Sequence, residues 1–462
     1  MTQDDRSKTN LVLLTVDALR PDHLSSYGYS LKTDEALDPF RNKIAVFKNA
    51  YTYSMATVRS FPAIMASIWP DLCETKVLWQ YVKKLDIPYK ARMLAEIFQD
   101  HGYHTIAHTC WTNFLTPGQG YARGFDDYVG ISREDHLPPD SLFNSFVKHT
   151  IYTMRYCPSK KMVHFFERAF HWLRETYNAL SKKNLKQPVG LEGRNCVTVT
   201  NYILDRLTAL EPNKPFMAWA HYLDTHIPLN PPEENQGNRD KLHAIKRILN
   251  EAILKQKPIR HDLMPVLLDL YDRSILHVFS QINRIFKFLE RRDQLKNTCI
   301  VILADHGYGF WEHGYWETPP EQFYDESIRV PLMIYHPELS SGMPSIEQPV
   351  SLIDLAPSLL NICGISEENT FFGESFVSLL QEKSSVDPKK SIWIETIDDS
   401  HFYCRIKKQS KIIYDQDGGR FLLKLNHQDR VDSLLESEQK DFLDDLKLYE
   451  RSKREFAEKI KT

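Results

Sequence analysis

An α/β fold is predicted for this chain of 462 residues: a central, mostly parallel sheet sandwiched by helices, with a small antiparallel sheet-plus-helix subdomain at the C-terminus. Three observations predict it. Asn10 to Val16 and Cys299 to Ala304 are continuous apolar runs rich in β-branched residues, the pattern of parallel strands covered on both faces. Between and after such runs lie helix-period stretches, the alternation from which layered α/β domains are built. Beyond residue 380 the pattern changes to short strand-like pieces, SIWIETI, HFYCRIKKQSKIIY and GRFLLKL, followed by a charged helix from about Ser433 to Ile460.

In chain order, Asn10 to Val16 is a strand that ends at Asp17. Ala45 to Tyr53 reads as a second strand, followed by Thr57, Arg59 and Ser60 and then FPAIMAS, a helix-like run with Pro62 in its first turn. Thr57 suits two roles there, capping the helix or serving as a hydroxyl nucleophile with Arg59 close by to bind an oxyanion. Ala91 to Gly102 is an amphipathic helix ending at a glycine, and Tyr103 to Cys110 a strand. A helical insertion spans about 138–190. Between Ser159 and Gln187 it carries seven Lys/Arg against two acids, interleaved with aromatics, and it reads as an amphipathic insertion packed on the main domain or as a docking surface for an anionic partner.

Asn195 to Leu210 is a helix, and Pro215 to Tyr222 a buried strand whose end carries His221, Asp224 and His226. Asp240 to Lys296 is helical with breaks near Pro258 and Pro265. Arg329 to Pro337 is a strand, Val350 to Cys363 a helix ending at Gly364, and 365–390 a polar linker. These elements divide the chain into a catalytic domain, 1–380, and a C-terminal subdomain, 381–462.

Composition, 42% hydrophobic and 26% charged, is that of a globular chain, and a net charge of −3 favours neither nucleic acid nor an anionic membrane. Seven cysteines without a C-x-x-C pair fit a reducing compartment better than a disulfide framework. No apolar run reaches membrane-spanning length, so a cytoplasmic location without an integral membrane segment is expected.

The chemistry concentrates where strands end. Asp305-His306-Gly307 follows the Cys299 strand directly, and Asp17 follows the first strand in the same way. Open α/β sheets place ligands at such carboxyl ends. Two carboxylates brought together there are costly unless a cation lies between them.

With these pieces placed, the sequence resembles the sulfatase-like branch of the alkaline phosphatase superfamily over nearly its whole length. The motifs are VDALRPDHLSSYG, TVRSFPAIMAS, HYLDTHIP, ILADHG with the following EHG and VPLMIYHP, and KQSKIIYDQDGGRFLLKL, in the family's order. The resemblance implies one divalent cation held by Asp17, Asp305 and His306, with Thr57 Oγ completing the site. It implies Arg59 on the non-bridging oxygens of the substrate, and His226, with His313 as a second candidate, donating to the bound ester oxygen or protonating the leaving group.

Departures from the family pattern sharpen this. Calcium-binding relatives pair two Asp residues at the first strand end, where this chain has Ala18, and many have Asn where it has His306. Nitrogen in the ligand set favours manganese or zinc, with calcium or magnesium as the alternatives. Sulfatases convert a Cys or Ser to formylglycine at the nucleophile position; Thr57, with a methyl on Cβ, does not yield that aldehyde. Arg59 and Phe61 stand where the maturation motif has Pro and Arg. Thr318 and Pro319 stand where relatives carry a Lys or His.

The expected function is therefore a metal-dependent hydrolase of phosphodiester or phosphonate monoester bonds, working through a Thr nucleophile. The alternatives are a sulfuric ester hydrolase, a phosphoglycerol- or phosphoethanolamine-type transferase, and a non-catalytic binding protein on the same scaffold. The expected partner is an anionic phosphate- or sulfate-ester substrate, glycan- or lipid-linked, and Trp311, Tyr315, Trp316 and Tyr324 are candidates for aromatic walls around it.

Overall fold

The computed structural model describes residues 8–79, 82–110, 114–130, 195–227, 229, 231–232, 248, 262–313, 323–339, 344–367, 370–381, 391–397, 401–407, 410–425, 428–432 and 435–461. The insertion at 138–190, Tyr315, Trp316, Thr318 and Pro319 lie outside them.

Strands β1 (Asn10–Val16), β2 (Ile44–Tyr51), β3 (Glu74–Trp79), β4 (Val82–Asp86), β5 (His104–His108), β6 (Asp127–Val129), β7 (Phe216–Tyr222), β8 (Thr298–Leu303), β9 (Arg329–Tyr335), β10 (Ser345–Ile346) and β11 (Val350–Ser351) precede the C-terminal strands. Nine of them form one sheet in the order β10-β2-β9-β8-β1-β7-β5-β6, with β11 also on β2, and β9 alone runs antiparallel to its neighbours. β3 and β4 form a separate hairpin that the sequence reading did not anticipate.

β1 is the centre of the sheet. It pairs in parallel with β7, Thr15 opposite His221, and with β8, Thr15 opposite Leu303. Because the three strands run the same way, the ends that follow Val16, Tyr222 and Leu303 open on one edge. All seven residues of β1 and of β7, and all six of β8, are buried, which explains their unbroken apolar character.

Among the described residues, the longer helices that pack around the sheet are α1 (Thr57–Ala66), α2 (Leu94–Asp100), α3 (Cys196–Ala209), α4 (Met264–Arg291) and α5 (Leu355–Ile362); α6 (Glu436–Lys461) follows the C-terminal strands. α4 is a single 28-residue helix with Pro265 in its first turn, where a missing N–H costs nothing; Leu267, Leu270, Tyr271, Ser274, Ile275, Val278 and Ile282 give it a continuous buried stripe. α1 begins at Thr57, so Pro62 falls inside the helix and not in its first turn. The expected helix from Val350 resolves into strand β11, a tight turn and the shorter α5. Within the expected linker, Phe376 and Leu379 are buried and the Gly373 N–H donates to Ser67 Oγ (2.8 Å).

At the C-terminus β12 (Ile392–Ile397), β13 (His401–Lys407), β14 (Ser410–Asp415), β15 (Arg420–Leu425) and β16 (Gln428–Asp432) form an antiparallel sheet in chain order. HFYCRIKKQSKIIY is thus a hairpin, two strands and not one. α6 covers this sheet, with Trp393 stacked on Tyr449 and edge-on to Phe442. Buried Glu395 ties the small sheet to the main domain: it accepts from Tyr53 Oη (2.6 Å) and from Lys453 Nζ (2.8 and 2.9 Å).

The end of β5 carries an acid-sensitive group. His108 is buried, its Nδ1 accepts the Cys110 N–H (3.0 Å), and burial lowers its pKa from 6.5 to about 4. The unfolded chain takes up a proton here near pH 6.5 and the folded chain only near 4. Stability from the neutral imidazole is therefore complete above pH 6.5 and lost as pH falls toward 4, by up to about 3 kcal/mol. His108→Asn, which keeps an acceptor, is expected to shrink the difference between denaturant midpoints at pH 7 and pH 5; an unchanged difference would contradict this.

Candidate active site

Asp17 is the first residue beyond β1, and its N–H donates to Tyr222 O (2.9 Å), so the parallel ladder continues to the carboxylate. Ala18 then reverses the chain with φ 56, a left-handed conformation that strains any side chain and is stored beside the site. That turn is held from two sides. Tyr271 Oη on α4 donates to Ala18 O (2.7 Å) and accepts the Arg20 N–H (2.8 Å), while Thr225 Oγ1 donates to Asp17 O (2.5 Å).

Asp305 and His306 follow β8. Thr52 Oγ1 donates to Asp305 O (2.6 Å), and Asp305 Oδ1 accepts the His306 N–H (3.0 Å). His306 Nδ1 lies 2.7 Å from Gly307 O; donating there leaves Nε2 as a lone pair facing the carboxylates. Gly307 is required by close approach, since a Cβ would lie 1.9 Å from Glu326 O. Arg20 donates to Tyr308 O (3.0 Å) and pairs with Asp22 and Glu312, bracing the loop from behind.

Thr57 arrives from the third direction. The N-cap position of α1 is Ala56, without a side-chain cap, so Thr57 is not the helix cap. Its Oγ1 lies 3.3 Å from Asp17 Oδ2 and 3.2 Å from His306 Nε2. Asp17, Asp305 and His306 present ligand atoms all within 4.8 Å of one another, each residue buried. Asp17 Oδ1 and Asp305 Oδ2 are sealed from solvent with no hydrogen-bond partner among the described residues.

Two orphaned carboxylate oxygens facing an imidazole lone pair fit a divalent cation. Burial opposes ionisation of Asp17, yet the neighbouring His226, His221 and His306 outweigh it and hold that carboxyl well below the usual range. Burial and then the Asp17 charge push Asp305 upward.

His221 is the residue that sequence reasoning left out of the site. It is fully buried on β7, and its Nε2 lies 3.6 Å from Asp17 Oδ2 with no hydrogen-bond partner among the described residues. Thr15 Oγ1, which accepts from Trp219 Nε1 (3.0 Å), faces His221 Nδ1 at 2.9 Å. The tautomer that donates from Nδ1 to Thr15 would turn a second imidazole lone pair toward Asp17.

Of these groups Thr57 and His306 line a cleft of about 340 Å³, together with Arg59, Phe114, His226, Tyr308 and, from the C-terminal sheet, Thr396, while Asp17, Asp305 and His221 are buried behind them. His226 Nδ1 lies 2.7 Å from Ile227 O, and its ring packs against Tyr308. His313 is not brought to this cleft: it pairs with Glu326 (3.0 Å) and stacks on Tyr324. Tyr324 is thereby accounted for by packing, not by a wall of the cleft.

The sheet order, the capping C-terminal sheet and the strand-end cluster make an α/β scaffold with its candidate chemistry at the carboxyl ends of the central strands. The Sulfatase family model matches residues 9–365, and the chain belongs to that family, whose members typically depend on a divalent ion. An arylsulfatase of Clostridium perfringens is 24% identical over 458 residues, covering 89% of this chain and 86% of that protein. Arylsulfatase K of Xenopus laevis is 25% identical over 378 residues, 75% of this chain, which spans 62% of that relative's length. Among solved structures, Ps i-CgsB in complex with k-i-k-neocarrahexaose superposes with a TM-score of 0.66 at 17% identity, covering 96% of this chain and 93% of that one. The phosphonate monoester hydrolase of Agrobacterium radiobacter gives 0.63 at 16%, covering 98% and 96%. These structural likenesses establish the fold.

Proposed function

We propose that this protein is a divalent-metal-dependent hydrolase of phosphate diesters or phosphonate monoesters that works through a phospho-Thr57 intermediate. The observation that carries the reading is the position of Thr57 Oγ1, within 3.3 Å of both Asp17 and His306 at the floor of an open cleft. Asp17, Asp305 and His306 would hold the cation, with His221 as a further nitrogen donor; such a set favours manganese or zinc over calcium or magnesium. When bound, the cation supplies a lowered Thr57 hydroxyl pKa and charge neutralisation at the substrate's oxygens.

Thr57 Oγ1, its proton lost to solvent, then forms a bond to phosphorus as the bond to the leaving alcohol breaks, and His226 donates a proton to the departing oxygen. His226 regains that proton from the water that attacks phosphorus in the second step, and the released Thr57 oxygen regains its own from solvent. Water cleaves the phospho-Thr bond and restores the hydroxyl. Arg59, in the first turn of α1 and on the cleft wall, binds non-bridging oxygens.

Sulfate-ester hydrolysis is the second reading, favoured by the likeness to the C. perfringens arylsulfatase. A panel of p-nitrophenyl phenylphosphonate, bis-p-nitrophenyl phosphate and p-nitrophenyl sulfate with added manganese separates the two. Phosphorus esters are expected to turn over at least about 100-fold faster; faster sulfate turnover would favour the second reading.

His226→Gln is expected to cut kcat by about 10² on alkyl leaving groups and far less on p-nitrophenolate, which leaves without a proton. His313→Gln is expected to change neither. Equal losses on both leaving groups in His226→Gln would remove it from the acid role.

A further inference from the structure

A second cluster of metal-binding residues lies outside the cleft and shares no residue with it. Cys196 opens α3, Asp224 lies in the loop after β7, and His277 sits in the middle of α4. Their ligand atoms lie within 4.8 Å of one another. The thiol is fully buried, and the Cys196 N–H donates to Asp224 Oδ1 (3.2 Å), which aims the carboxylate at the cysteine. The other oxygen, Asp224 Oδ2, is sealed from solvent with no hydrogen-bond partner among the described residues. His277 is half-buried, leaving an approach from solvent.

A buried carboxylate oxygen is costly without a partner, and among the described residues a thiol and an imidazole stand beside it. Sulfur, nitrogen and oxygen donors from three separate elements form a set of borderline softness. It suits zinc or cobalt, and disfavours calcium and magnesium, which take oxygen ligands. Charge also balances: binding releases the thiol proton, so one thiolate and one carboxylate offset one dication.

We infer that Cys196, Asp224 and His277 form a second divalent-metal site of the zinc class, with water as the remaining ligand. Its role is positional. Asp224 is adjacent to Thr225, which holds the Asp17 carbonyl, and two residues before His226 on the cleft wall. A cation there fixes the 223–227 loop against α3 and α4.

The test is cobalt(II) titration of the full-length protein, followed by thiolate-to-cobalt charge-transfer absorption. Wild type is expected to show the band. Asp305→Asn, which disables the catalytic cluster, is expected to keep it, so the readout is independent of the proposed reaction. Cys196→Ser is expected to lose the band, and His277→Gln, a second variant in case the first does not fold, to weaken cobalt binding by about 10-fold or more. A wild type without the band, a band unchanged in Cys196→Ser, or a cobalt affinity unchanged in His277→Gln would overturn the site and leave Cys196 and Asp224 as a buried hydrogen-bonded pair.

Discussion

Thr57→Ala is expected to lose turnover of phosphorus esters by about 10⁴-fold or more while binding the same metal with the same stoichiometry, because it removes the attacking atom and leaves all three buried ligands in place. Thr57→Ser is expected to retain measurable turnover, since it keeps the oxygen and loses only the methyl. A capping threonine would behave differently: its loss costs about 1 kcal/mol of stability and spares the chemistry. The helix already begins with Ala56 in the capping position, so little stability is expected to be lost in Thr57→Ala. Steady-state kinetics, metal analysis and a melting curve on the two variants check all three expectations. Retained activity in Thr57→Ala would contradict the assignment.

Asp305→Asn is expected to show the largest metal effect. Asp17 and Asp305 each keep a buried oxygen with no hydrogen-bond partner among the described residues, and burial with the Asp17 charge pushes Asp305 upward, so the metal-free wild type keeps two neighbouring carboxyls in its core at a cost. Adding metal at about 100 to 1,000 times its dissociation constant should stabilise the wild type by about 3–4 kcal/mol through mass action. The variant has a neutral amide there and is expected to gain much less, to lose turnover by about 10³-fold or more, and to melt no lower than wild type when both are stripped by chelator. Melting curves with and without metal check this. A full metal-dependent gain in Asp305→Asn would place the cation elsewhere.

Much of this site is legible in the sequence because strand ends are marked twice, by the end of an apolar run and by the ligand that follows it. Asp17 and Asp305-His306 carry that mark, and Thr57 sits just ahead of an apolar helical run. His221 does not. It lies inside a strand buried on both faces, where every position is apolar or enclosed and alternation gives no hint of which side chain faces Asp17. Only the pairing of β7 with β1 reveals it.

Strand order is the general gap. The three convergent ends come from residues near 17, 222 and 305, and nothing local to β1 says that β7 and β8 are its neighbours. His313 fails for the opposite reason. It is close in sequence to His306, but the chain turns away through Trp311, whose φ is 62, and Glu326 and Tyr324 take up the imidazole. The β13–β14 hairpin was hidden by its short polar connection, and β3–β4 by lysines and an aspartate within its strands.

The account turns on a covalent bond between Thr57 and phosphorus, and acid-quench mass spectrometry of the full-length protein tests it most directly. Quenched during turnover of a phosphonate monoester or phosphodiester with manganese present, the peptide containing Thr57 is expected to carry the mass of the transferred phosphorus group. The same peptide from the Asp305→Asn variant is expected to be unmodified. An unmodified Thr57 in an enzyme turning over at full rate, under quench conditions that preserve phosphothreonine, would contradict the mechanism.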